Sequence, residues 1–106
     1  MPRVMKTAPQ AELADIALQL ARSRPNGEIS TTELKQEIPN HAELTEGDLA
    51  PSQTRPNELM FHQIIGNIIS HRESEGNIIG EGYAEYTGDG IRITDAGRAY
   101  LTRKGL

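Results

Sequence analysis

The chain of 106 residues contains no cysteine, which excludes disulfides and cysteine-bound zinc and fits a reducing compartment. It has no apolar run near the ~18 residues that a membrane span requires. Its first ten residues, MPRVMKTAPQ, lack the apolar segment of a secretory signal. These absences set the expectation of one cytoplasmic domain covering residues 1–106, with residues 1–6 as a flexible tail. A dense basic patch is missing as well, and the formal net charge is −4. An acidic balance counts against nucleic-acid binding, because Lys and Arg contacts to phosphate supply most non-specific affinity. The imbalance is concentrated in the first half. Residues 54–106 are close to neutral, with Arg98, Arg103 and Lys104 near one another.

The patterns that carry catalysis or metal binding are absent too. His62 and His71 are nine residues apart, on opposite sides of any helix that contains both. His41 has no ligand pattern around it, and no His-x-x-x-His pair exists. Glu33-Leu34-Lys35 matches the Glu-x-Lys fragment of metal-dependent nucleases, but it opens a helix and not the strand such a centre needs. Ser52, Ser70 and Ser74 lack a nucleophile-elbow context, and Gly80-Glu81-Gly82 does not form a phosphate loop. The expectation is a protein with no catalytic residue, no metal and no cofactor.

What the chain does hold is one strongly amphipathic stretch, from Arg55-Pro56-Asn57 to Ser70-His71-Arg72. Thr54 and Pro56 suit a helix start. Met60, Phe61, Ile64, Ile65, Ile68 and Ile69 recur at helical spacing and predict a helix running to about Glu75-Gly76-Asn77. Its other side carries Gln63, Asn67, Ser70 and Ser74 in one row, with Gly66 beside them. Gly66 in a helix interior costs about 0.5–1 kcal/mol relative to Ala, which points to close approach of a partner or to tight packing of another helix there, the second being the favoured expectation.

The remaining elements each have their own start and stop signals. Thr7-Ala8-Pro9-Gln10 opens a first helix with Leu13, Ile16, Ala17, Leu20 and Ala21 inward, and Pro25-Asn26-Gly27 ends it. Glu28-Ile29-Ser30 is a short strand for a sheet edge. Ser30-Thr31-Thr32-Glu33 is a capping box for a short helix with Leu34 and Ile38 inward, stopped at Pro39-Asn40. Residues 40–54 form a polar loop with Glu43, Glu46 and Asp48, held to the core by Leu44 and Leu49. Gly82–Tyr86 and Ile91–Thr94 alternate as strands around Thr87-Gly88-Asp89-Gly90, a hairpin turn. Thr94 caps a last helix, Asp95 to Arg103, with Ala96 or Ala99, Tyr100 and Leu101 inward. The order predicts an α+β winged helix-turn-helix: a three-helix core, a β-hairpin wing and a C-terminal helix.

Three runs carry a resemblance over roughly residues 8–104: Leu44-Thr45-Glu46-Gly47-Asp48-Leu49, Gly82-Tyr83-Ala84-Glu85-Tyr86, and Ile93-Thr94-Asp95-Ala96-Gly97-Arg98-Ala99-Tyr100-Leu101. Together they resemble the N-terminal winged-helix domain of Mrr-type restriction endonucleases and are similar to modules attached to other defence nucleases. The resemblance implies a domain that recognises duplex DNA, plain or modified, and delivers it to a nuclease partner domain.

In that setting Gln63 and Asn67 are the candidate base readers, since a carboxamide can pair bidentately with adenine N6 and N7. Ser70 and Ser74 would touch bases or phosphates further along. Arg55 and Asn57 at the helix N-terminus would meet phosphate, and Arg92 in the hairpin would reach backbone or minor groove. The competing reading is an acidic winged helix for protein contact or homodimerisation, with Tyr83, Tyr86 and Tyr100 as candidate anchors.

Overall fold

A computed structural model describes residues 10–41 and 60–106. Its elements are α1 (Gln10–Ser23), β1 (Glu28–Ser30), α2 (Thr31–Glu37) with a 3-10 turn at Ile38–Asn40, α3 (Met60–Ser70), β2 (Ala84–Tyr86), β3 (Gly90–Ile93) and α4 (Asp95–Lys104). The described residues form an α+β fold, with four helices among them around a small antiparallel sheet of strand order β1-β3-β2. Residues 7–9 and 54–56, where two helix starts are expected, and most of the acidic loop lie outside the described residues.

Local chemistry accounts for most boundaries. Gly27, at φ +68°, turns the chain between α1 and β1. The Ser30 hydroxyl accepts from the Glu33 amide at 3.1 Å, which satisfies an otherwise orphan donor at the start of α2. Thr94 does the same for α4, accepting from the Gly97 amide at 3.0 Å. Gly105 closes α4 in the left-handed conformation. The expected edge strand is present, with Ile29 opposite Ile91 across the β1–β3 pair.

The core joins α1, α2 and α3 to one face of the sheet. Leu13, Leu18, Ile38, Phe61, Ile65, Ile91 and Leu101 are its most enclosed side chains. The inward face of α1 is wider than its sequence stripe, because Ala14, Asp15 and Leu18 are buried along with the expected residues. The cause is that α1 packs against α3, α4 and the sheet at once.

Two boundaries and one buried face depart most from expectation. Helix α3 ends at Ser70, and residues 71–76 run as turns. Strand β2 begins at Ala84, because Gly82 adopts φ +85° just before it. In α4 both Ala96 and Ala99 are exposed, and Gly97 with Leu101 takes the inward positions. A Cβ on Gly97 would collide with the Tyr83 carbonyl oxygen, so this contact between α4 and the approach to β2 requires glycine.

Asp15 is only 8% exposed and ties α1 to α4. It accepts from the Tyr100 hydroxyl at 2.7 Å and from Lys104 Nζ at 2.6 Å, while Lys104 also donates to the Tyr100 oxygen at 3.2 Å. The bond to Asp15, then the one to Tyr100, holds the Lys104 pKa above its usual value. Burial, then the Asp15 contact, raises that of Tyr100. Each group is therefore favoured in its protonated form by the fold. Their stabilising contribution is complete below their ordinary values and is lost as pH rises through the raised ones. Stability is expected to fall above about pH 10. Lys104→Met is expected to flatten that fall in urea titrations between pH 8 and 11, and an unchanged slope would remove Lys104 from the account.

Candidate nucleic-acid interface

Helix α3 is positioned by what it buries. Phe61, Ile65 and Ile68 are enclosed, and Ile64 and Ile69 pack partly against the same core. The helix lies against α1 and α2. Its polar row is consequently turned outward. Gln63 and Asn67 are half-buried, and Ser70 is exposed. Gly66 is half-buried between them. Among the described residues, nothing bonds the Asn67 side chain, and its backbone carbonyl accepts from the His71 amide at 2.9 Å. Arg55 and Asn57 lie outside the described residues.

Ser74 does not continue that row. It is exposed in the turns beyond the helix end, where its amide donates to the His71 carbonyl at 2.9 Å. The reason is Asn77, buried nine residues after Ile68, whose Nδ2 donates to the Ile68 carbonyl at 2.8 Å. Its Oδ1 accepts from the Ile79 amide at 2.8 Å, so one side chain both caps α3 and starts the chain towards the hairpin. Arg72 supplies a second cap, donating from Nη1 to the Ile69 carbonyl at 3.1 Å.

The hairpin places its charged residues by strand alternation. Arg92 stands opposite Glu28 on β1 and Glu85 on β2. Its Nε donates to Glu28 Oε1 at 2.8 Å, and a terminal nitrogen lies 3.7 Å from Glu85 Oε2. Exposed pairs of this kind contribute about 0–1 kcal/mol each. Two carboxylates nevertheless outweigh the single guanidinium, leaving a local negative charge. Arg92 also stands between Ile91 and Ile93, both buried. The pleat therefore directs it to the sheet face opposite the helices.

Tyr86 is on the other side of that pleat, in line with buried Ala84 and opposite Ile91. It is 41% exposed, and its hydroxyl donates to the Gly88 carbonyl at 2.8 Å. The Arg72 guanidinium lies 4.8 Å from the ring centroid. This Arg72–Tyr86 pair links the end of α3 to the hairpin, and the sequence reading missed it. The only available signal was an Arg at the close of the amphipathic run. The other two tyrosines have different work: Tyr83 and Tyr100 stack with centroids 4.4 Å apart, partly buried against the core.

Among the described residues, no group of three His, Asp or Glu side chains could hold a metal ion. No helix there is long and apolar enough to cross a membrane. Glu33 and Lys35 sit on α2 behind its capping serine. Glu33 meets an Arg24 guanidinium nitrogen at 3.2 Å. Comparison with protein families, curated proteins and solved structures finds no match to this chain.

Proposed function

We propose that this chain is a winged helix-turn-helix module that binds duplex DNA without catalysis, with α3 as the reading helix and the β2–β3 hairpin as the wing. The observation that carries the reading is the combination of topology and exposure. Among the described residues the order is helix, strand, helix, helix, hairpin, helix, with the first strand paired to the far arm of the hairpin. The longest apolar stripe anchors the third helix and leaves Gln63, Asn67 and Ser70 on its outward side. A helix held by its apolar face and showing carboxamides on the other can enter a major groove and pair with adenine edges. By the same reading the module serves a restriction or defence nuclease, with modified duplex among its targets.

The test is fluorescence anisotropy of labelled duplexes, plain and base-modified, across a salt series. Binding at low salt is expected, with log K falling linearly with log salt at about 0.9 per phosphate engaged. Absence of binding at low salt would reject the reading.

The Glu28–Arg92–Glu85 clasp and the net charge of −4 favour a second reading, an acidic surface for protein contact or self-association. Under it, sedimentation would show a concentration-dependent mass, and changing Tyr86 or Gly66 would abolish it.

A further inference from the structure

We propose that Arg72, and not Arg92, is the hairpin-side phosphate contact of this module, held in position by Tyr86. The inference rests on the DNA-binding reading above and deepens it by assigning a residue that the sequence reading does not contain.

Three observations lead to it. The first is the state of the two arginines. Arg92 directs its donors to Glu28 and Glu85 at 2.8 and 3.7 Å. A phosphate approaching it would face two carboxylates and would have to break an existing pair. Arg72 has no carboxylate partner among the described residues. One N–H goes to the Ile69 carbonyl, and a guanidinium has five to give. Among the described residues its charge is therefore unpaired, and the residue is exposed.

The second observation is direction. Strand alternation sends Arg92 to the sheet face opposite the helices, because its neighbours Ile91 and Ile93 are buried. Tyr86 pairs with Ile91 and so belongs to the face on which the helices pack. Arg72 lies over that ring, two residues beyond the last residue of α3. A duplex lying on α3 would meet Arg72 next to Ser70, whereas Arg92 would be behind the sheet.

The third is rigidity. The Tyr86 ring is fixed at both ends, by the strand that carries it and by its hydroxyl bond to Gly88. The guanidinium lies over that ring and is tethered to a helix carbonyl. Little side-chain freedom remains to be lost when a phosphate binds, and an arginine fork suits phosphate oxygens. The same pair joins α3 to the hairpin, so one phosphate held there would set the register between reading helix and wing.

The experiment compares wild type, Arg72→Gln, Arg92→Gln and Tyr86→Leu by anisotropy over a salt series on one duplex, with melting curves to confirm folding. Arg92→Gln removes the same charge as Arg72→Gln and so controls for net charge. Arg72→Gln is expected to weaken binding about 5- to 10-fold at low salt and to make the salt slope shallower by about 0.9, the value of one phosphate. Arg92→Gln is expected to leave the slope unchanged. Tyr86→Leu keeps the charge but removes the platform, and is expected to weaken binding about 2- to 5-fold with the wild-type slope. If wild type binds and Arg72→Gln matches Arg92→Gln in slope, the Arg72 assignment is overturned while the DNA-binding reading stands. If Tyr86→Leu binds as wild type does, the positioning role of Tyr86 is overturned. If wild type binds no duplex at low salt, both readings are overturned together.

Discussion

With α3 as the proposed reading helix, a protein carrying both Gln63→Ala and Asn67→Ala is expected to lose sequence preference while keeping its fold and the salt-dependent affinity for DNA that the proposal assigns to it. Each carboxamide–adenine pair carries about 1–3 kcal/mol of discrimination. Losing two should therefore reduce the ratio of preferred to random duplex by at least about 30-fold. The fold should tolerate the change because neither residue belongs to the core, which α3 reaches through Phe61, Ile65 and Ile68. Alanine is also the better helix former, so the melting temperature should move by no more than about 3 °C. Selection from a random duplex library, run in parallel on both proteins, gives the comparison. An identical enriched motif from the double variant would show that these side chains are only the solvated face of an amphipathic helix.

Phe61→Ala should produce the largest loss of stability. The ring is 2% exposed and is the largest fully enclosed side chain in the described structure. Truncation of such a phenylalanine costs about 3–5 kcal/mol through lost transfer energy and the cavity left behind. The total stability of a domain this size is about 5–15 kcal/mol, so a large part of it would disappear. Each kcal/mol shifts the midpoint by roughly 4–8 °C, which places the expected drop at about 12 °C or more. Urea unfolding followed by circular dichroism measures it directly. A cost below about 1 kcal/mol would mean that α3 is not central to the core. Phe61→Leu, which fills most of the space, should cost much less and should retain DNA binding where Phe61→Ala loses it with the fold.

These two substitutions act on opposite faces of one helix, and both faces are readable in the sequence. The apolar spacing from Phe61 to Ile69 and the polar row from Gln63 to Ser70 follow from a period of 3.6, which needs no knowledge of neighbours. The same holds for the local signals. Ser30 and Thr94 cap helices because a hydroxyl three residues before an amide can reach it. Gly27 and Gly88 turn the chain because they alone tolerate their positive φ values cheaply, +68° and +103°. The edge strand at Glu28–Ser30 and the hairpin around Gly88-Asp89 were legible for the same reason.

What the sequence could not determine involves partners far apart in the chain. The end of α3 depends on Asn77 reaching back nine residues to the Ile68 carbonyl, and nothing in the helical period announces that bond. Asp15 reads as a polar position on α1 until Tyr100 and Lys104, 85 and 89 residues away, close over it. Gly97, not either alanine, faces inward because the Tyr83 carbonyl lies where a Cβ would be. The two hairpin-side arginines are the clearest case. Composition treats Arg72 and Arg92 alike, as single positive charges. Strand register surrounds Arg92 with two carboxylates behind the sheet, and the fold lays Arg72 on a tyrosine beside the polar helix. The sequence by itself determined that most of the described elements exist, the hydroxyl caps of α2 and α4 and the apolar face of α3, since these depend on neighbours within about four residues. Tertiary structure alone decided which charges are neutralised and which stay open, because that depends on the register between strands and on the packing of helices distant in the chain.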